Sequence, residues 1–267
     1  MSTQLSRFWK KQTWGTLPSH PRVVLLGSCF STEMFTRMTS RRWQVLSNPM
    51  GTLFQPLVIA DWIMESMGKS RFNSETDIAY HEQQAKCLMA GKVLNRDTAE
   101  EVWNEIQRVK KQLHESLSQS NILVVTFGTA YAWKYLPSSQ YVGNCQRIQQ
   151  DQFRRELIRI KEMQEKWIEC IDQIKVNFPQ LLIVFTVSPV RHEKLGVMEN
   201  ARSKANLLEL CHRLCEDRGT LYFPSYEWIT DELRDYAFYS TDGCHPSAAA
   251  VDFVFEKWIQ TFQYEKD

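Results

Sequence analysis

Val23-Val24-Leu25-Leu26-Gly27-Ser28-Cys29-Phe30 is a short apolar run that ends in a glycine and passes directly into two small nucleophilic side chains. Four successive apolar residues leave no face for water, so the run predicts a strand buried on both sides, as in a parallel sheet. The same pattern recurs twice. Residues 121–127 form an unbroken run ending in Gly128, and residues 181–187 lead into Ser188-Pro189. Weaker strands are expected at Gln44-Val45-Leu46 and at residues 220–223. Apolar stripes at helical spacing lie between or after these runs: Val102, Ile106, Val109, Leu113 and Leu117; Phe153 and Leu157 continuing through Ile160, Trp167, Ile171, Ile174 and Phe178; Leu207, Cys211, Leu214 and Cys215; and Val251, Phe255, Trp258 and Phe262. Strands alternating with amphipathic helices predict a doubly wound α/β sheet.

The bulk properties narrow the function. The 267 residues are read as one domain over 1–267, with a core at roughly 22–262, an insertion near 69–98 and a long loop at 129–152. Lys plus Arg is 32 and Asp plus Glu is 31, a net charge of +1. The basic pairs, Lys10-Lys11 among them, are scattered, so no electrostatic footprint for nucleic acid is present. No run is long and apolar enough to span a membrane. The first fifteen residues lack the apolar stretch of a signal peptide. Seven cysteines, an odd number without scaffold spacing, point to a reduced, cytoplasmic setting. Cys211, His212 and Cys215 fall within one helix and lack a second ligand pair, so they read as core and no metal site is expected.

Ligands of open α/β sheets sit beyond the carboxyl ends of the strands, so the residues that follow the apolar runs are the candidates for chemistry. Gly27 lets the chain turn, and Ser28 then meets a helix opened by Ser31 or Thr32, where amide N–H groups favour negative charge. A nucleophilic hydroxyl and a helix cap are both open readings of Ser28. Cys29 is read first as a small buried side chain, with a reactive thiol as the alternative. Asp242 and His245 stand three apart in a tight turn. That spacing lets the carboxylate hold one imidazole nitrogen and leaves the other for a hydroxyl. Gly51, in Asn48-Pro49-Met50-Gly51, offers an N–H for an oxyanion, and Thr129 or Asn144 offers another donor. Arg191 and His192 follow the run 181–187 and should face the cleft, Arg191 to bind a carboxylate or phosphate or else to pair with Glu199.

Together these blocks resemble the GSCFA domain family, a branch of the SGNH (GDSL-like) hydrolases. The resemblance rests on Gly27-Ser28-Cys29-Phe30, Asn48-Pro49-Met50-Gly51, Phe127-Gly128-Thr129-Ala130, residues 186–192, residues 223–227, residues 233–236 and Asp242-Gly243-Cys244-His245-Pro246-Ser247, in that order. It implies a flavodoxin-like three-layer α/β/α sandwich with five parallel strands. It also implies Ser28 as nucleophile, Gly51 as oxyanion donor and Asp242 with His245 as the activating pair. The chain departs from the wider SGNH pattern at Gly128-Thr129-Ala130, where an asparagine donor is usual. Thr129 or Asn144 is left for that role.

The expected activity is serine-esterase hydrolysis of a small-molecule acyl ester, such as a short acyl group on a carbohydrate, with no metal or organic cofactor. Acyl transfer from the same Ser–His–Asp site, and a non-catalytic binding module that keeps the fold, are the alternatives. Nothing in the sequence indicates an oligomeric state.

Overall fold

The computed structural model describes residues 13–266, so Lys10-Lys11 and most of the N-terminal stretch read above lie outside the described residues. Five strands form the central sheet: β1 (Arg22–Gly27), β2 (Gln44–Ser47), β3 (Ile122–Phe127), β4 (Leu182–Val187) and β5 (Leu221–Tyr222). All are parallel, in the order β2-β1-β3-β4-β5. This is the flavodoxin-like doubly wound order, whose switch point lies between β1 and β3.

Alternation along β1 divides the interior in two. Val23 and Leu25 face one core, shared with Phe30, Met34 and Met38 of α1 (Cys29–Ser40) and with Val254 and Trp258 of the C-terminal helix Ala248–Gln260. Val24 and Leu26 face the other. There they meet α2 (Pro56–Ser66), α3 (Ala99–Gln119), α4 (Ile160–Asn177) and α5 (Val197–Arg218), and the C-terminal helix is accordingly α6. Ile106, Trp167 and Leu207 are fully buried on the stripes that the spacing predicts. Thr98 and Glu101 close a reciprocal capping box at the start of α3.

Four local features differ from the sequence reading. The first helix begins at Cys29, not Ser31 or Thr32, with Ser28 as its N-cap. Phe153–Leu157 is a strand; positions i and i+4 share a face in a strand as well as in a helix, and α4 begins only at Ile160. That strand pairs antiparallel with Tyr131–Tyr135, which also pairs with Gln140–Val142, so the expected loop at 129–152 carries two strands of a small sheet. Within 69–98, Ile78–His81 and Gln84–Cys87 form a hairpin. All seven cysteines are free thiols. No helix among the described residues is long and apolar enough to cross a membrane.

The turn after β1 is the tightest point of the sheet. Gly27 has φ +123°, and a Cβ built there would stand 2.1 Å from the carbonyl oxygen of Thr126 on β3. The Gly27 N–H donates to Asn48 Oδ1 at 2.8 Å, and the Ser28 N–H donates to Thr126 O at 3.1 Å. Left-handed strain and a backbone clash therefore combine at one residue. Gly27→Ala is expected to lose about 3–5 kcal/mol of stability, measurable as a drop in the urea midpoint. A midpoint equal to that of the wild type would overturn this reading of the turn.

Candidate active site

At the carboxyl ends of β1, β3 and β4 lies a cavity of about 850 Å³, whose lining includes Cys29, Phe54, Thr129, Arg191, His192 and His245. The fold brings these residues together from five separate stretches of chain. The expected activating pair, Asp242 and His245, is built almost entirely within one turn. Asp242 Oδ1 accepts from the N–H groups of Cys244 at 2.9 Å and His245 at 3.0 Å, and Oδ2 lies 2.6 Å from His245 Nδ1. A carboxylate only accepts, so Nδ1 carries a proton, and Nε2 is the nitrogen that has a lone pair to offer in the neutral imidazole. The His245 and Cys244 amides, with the imidazole, pull the Asp242 carboxyl down to about 2. Gly243, with φ +65°, allows the turn, and the Arg191 N–H donates to Cys244 O at 3.1 Å, tying it to the loop after β4.

The two side chains at the start of α1 part company. Ser28 is only 1% exposed, and its Oγ accepts from the Phe30 N–H at 3.3 Å. It therefore caps the helix, and its hydroxyl is not on the cavity wall. Cys29, one residue on, is half-buried and does line the cavity. Neither side chain makes a hydrogen bond to His245 among the described residues; such contacts often tighten only once substrate is bound.

The expected oxyanion donors are largely committed elsewhere. The Gly51 N–H closes a turn to Asn48 O at 2.7 Å. Thr129 lines the cavity, but its N–H donates to Phe54 O at 3.0 Å, and its Oγ1 accepts from Tyr131 N and contacts Ser203 Oγ. Asn144 sits just beyond the lining residue Gly143, its N–H donating to Leu88 O and its Oδ1 accepting from Gln146 N.

Arg191 lies over the rings of Tyr239 and Tyr236, 4.3 and 5.1 Å from their centroids. The alternative pairing with Glu199 is not formed: that carboxylate bonds the Tyr131 hydroxyl and lies near Arg202. His192 lines the cavity edge-on to Phe54. Its Nε2 lies 3.1 Å from Gly128 O and so donates. Burial, aided by the Lys204 ammonium, pushes the His192 imidazole down to about 4.

Lys204 escaped the sequence reading. It is 1% exposed, and its Nζ donates to Gly128 O and to Ser188 O, both at 2.7 Å. No carboxylate pairs with it among the described residues. Burial pulls its ammonium down to about 7, and only the ionised form of Cys29 would oppose this. The signal was available, since Lys204 lies three residues before Leu207 on the buried stripe of α5.

A sequence profile of the GSCFA family matches residues 22–258. The chain belongs to the GSCFA family. No curated protein matches the sequence. Among solved structures, the GSCFA chain is similar to a candidate GDSL-like lipase from Parabacteroides merdae, with 10% identity, TM-score 0.44 and coverage of 92% of this chain and 97% of that one. It is also similar to a peptidoglycan O-acetylesterase, with 15% identity, TM-score 0.36 and coverage of 58% of this chain and 42% of that one.

His192 gives this GSCFA protein a pH signature. Its folded-state pKa, about 4, lies below the reference of about 6.5. Between these values the unfolded chain takes up a proton that the folded chain refuses. The stability contribution is therefore complete above about pH 6.5 and is lost as pH falls toward 4. The wild type is expected to lose more stability than His192→Gln across that window, read from urea midpoints at each pH. Parallel profiles would exclude a buried neutral imidazole.

Proposed function

We propose that this GSCFA protein is an esterase-type hydrolase that cleaves a short-chain acyl ester carried on a carbohydrate or a similar polar alcohol. The observation that carries the reading is the Asp242–His245 pair: a carboxylate fixed by two amides orients an imidazole whose free Nε2 belongs to a residue lining an 850 Å³ cavity. That is the geometry of a general base for a nucleophile at the start of α1, where Ser28 and Cys29 stand.

The steps follow from the proton positions. His245 Nε2 takes the proton of the attacking group, and the resulting acyl-enzyme forms as the imidazolium returns that proton to the departing alcohol. Water then repeats the sequence in reverse and releases the acid. Asp242 remains ionised throughout and steadies the imidazolium. The Cys29 amide, at the first position of α1, is the donor for the developing oxyanion in this reading, helped by the positive end of the helix. The aromatic side of the cavity suits the alcohol portion. Tyr131 and Trp133 line it, with the Arg155 guanidinium 5.4 and 5.9 Å from their ring centroids, a surface on which the apolar face of a sugar ring stacks.

A spectrophotometric assay with p-nitrophenyl acetate, followed by a panel of O-acetylated sugars, tests this reading. His245→Ala is expected to lower kcat/KM by about 10³-fold or more, and Asp242→Asn by about 10²–10⁴-fold, with the fold intact by circular dichroism. Wild-type rates in folded His245→Ala would remove the base from the mechanism. A folded wild type inert toward the whole panel would end the hydrolase reading.

A further inference from the structure

We propose that the attacking group is the Cys29 thiol and that Ser28 is structural, which makes this a thiol hydrolase. The inference rests on the hydrolase reading above and deepens it. Three independent observations carry it.

The first is access. Cys29 and His245 line the same cavity, whereas Ser28 is 1% exposed and does not. The second is occupation. Ser28 Oγ serves as the α1 cap, accepting from the Phe30 N–H, and the Ser28 N–H is held by Thr126 O. Turning that hydroxyl toward His245 as a nucleophile would uncap the helix. Cys29, as the first residue of α1, has no such duty.

The third is charge. Lys204 is a buried lysine whose hydrogen bonds go to two neutral carbonyls, Gly128 O and Ser188 O, so its ammonium form has no counter-ion among the described residues. A buried cation without a counter-ion is costly, so a site that keeps one gains where negative charge appears beside it. The thiol of Cys29 is the group placed to supply that charge. Burial and, least of all, Glu33 push the thiol up, while its own amide, Lys204 and the Phe30 amide pull it down. His192 and His245 share the cavity wall with it. The resting group is therefore a neutral thiol, and the base is needed to ionise it.

In the first half-reaction His245 Nε2 takes the Sγ proton. Sγ bonds the ester carbonyl carbon, the carbon–oxygen bond to the alcohol breaks, and the alkoxide leaves with the proton from the imidazolium. In the second, water gives a proton to His245 and its oxygen bonds the thioester carbon. The carbon–sulfur bond then breaks, and the thiolate recovers the proton. The sum is ester plus water to acid plus alcohol. Lys204 offsets the thiolate charge each time it forms.

The test uses the full chain, p-nitrophenyl acetate and mass spectrometry of the acid-quenched acyl-enzyme. Cys29→Ala is expected to lose at least about 10³-fold in kcat/KM, since it removes the nucleophile. Ser28→Ala is expected to stay within about tenfold of wild type, with a lower urea midpoint from the lost cap. The trapped acetyl group should be released by neutral hydroxylamine, which cleaves a thioester and leaves an oxygen ester intact. A folded Cys29→Ala that keeps wild-type activity, or an acetyl group that resists hydroxylamine and disappears in Ser28→Ala, overturns the inference while leaving the hydrolase reading in place. A wild type without esterase activity defeats the hydrolase reading itself, and the thiol assignment with it. Should Cys29→Ala not fold, Cys29→Ser, which keeps the volume, is read by the same hydroxylamine criterion: an acetyl group now resistant to hydroxylamine supports the inference, and one still released overturns it.

Discussion

The contact between Gly27 and the Thr126 carbonyl sets the geometry of everything around the cavity. β1 and β3 are adjacent in the sheet, and their connections leave toward opposite faces, so a crevice opens between their carboxyl ends. The chain must leave β1 within a single residue if the first turn of α1 is to border that crevice. Only a residue without a Cβ passes the carbonyl at this distance. Once it does, Ser28 is pinned by Thr126 O, Ser31 Oγ reaches Thr126 Oγ1 at 3.0 Å, and Cys29 is turned outward. The accessible side chain at position 29 and the hidden one at 28 are thus two consequences of one close approach.

The other half of the site obeys a different logic. The Asp242–His245 turn is half-exposed and held by its own amides, so its internal geometry owes little to the core. What the fold supplies is its position, through the Arg191–Cys244 backbone bond and the stacking of Arg191 on Tyr236 and Tyr239. Arg191 accordingly acts as a strut between β4 and the loop before α6. A locally organised Asp242–His245 pair on a tethered loop therefore meets the start of α1 across one cavity, with each half positioned by a different part of the chain.

How far the sequence disclosed this arrangement depends on how local each feature is. The buried strands at residues 23–27, 122–127 and 182–187 were legible because parallel strands covered on both faces need unbroken apolar runs. The Asp242–His245 pair was legible because three residues and a glycine suffice to build it. Helix α2 was not, since Leu57, Val58, Ile59, Ala60, Trp62 and Ile63 are all buried and no polar face remains to reveal a stripe. Phe153 and Leu157 misled because their spacing fits a strand and a helix equally. The commitments of Gly51, Thr129 and Asn144 were invisible because each involves the partner of a backbone or hydroxyl group, which residue identity does not encode.

The charge pattern behind the cavity wall unites these features. Gly128 O accepts from both Lys204 and His192, so one carbonyl sits between a buried ammonium and an imidazole held neutral. The ammonium cannot leave without stranding two carbonyls in the core, and it cannot be neutralised by a carboxylate without cancelling the field it projects toward Cys29. Protonating His192 would add a second cation beside it, which is the electrostatic part of why that imidazole stays uncharged. The wall thus holds a buried lysine whose ammonium burial pulls down to about 7, so its positive charge is only partly present near neutral pH. In a low-dielectric setting such a charge lowers the cost of forming an anion beside it, and a Cys29 thiol acting as proposed would become that anion only transiently. A group ionised before substrate arrived would be held by it equally in ground and transition states and gain little in rate.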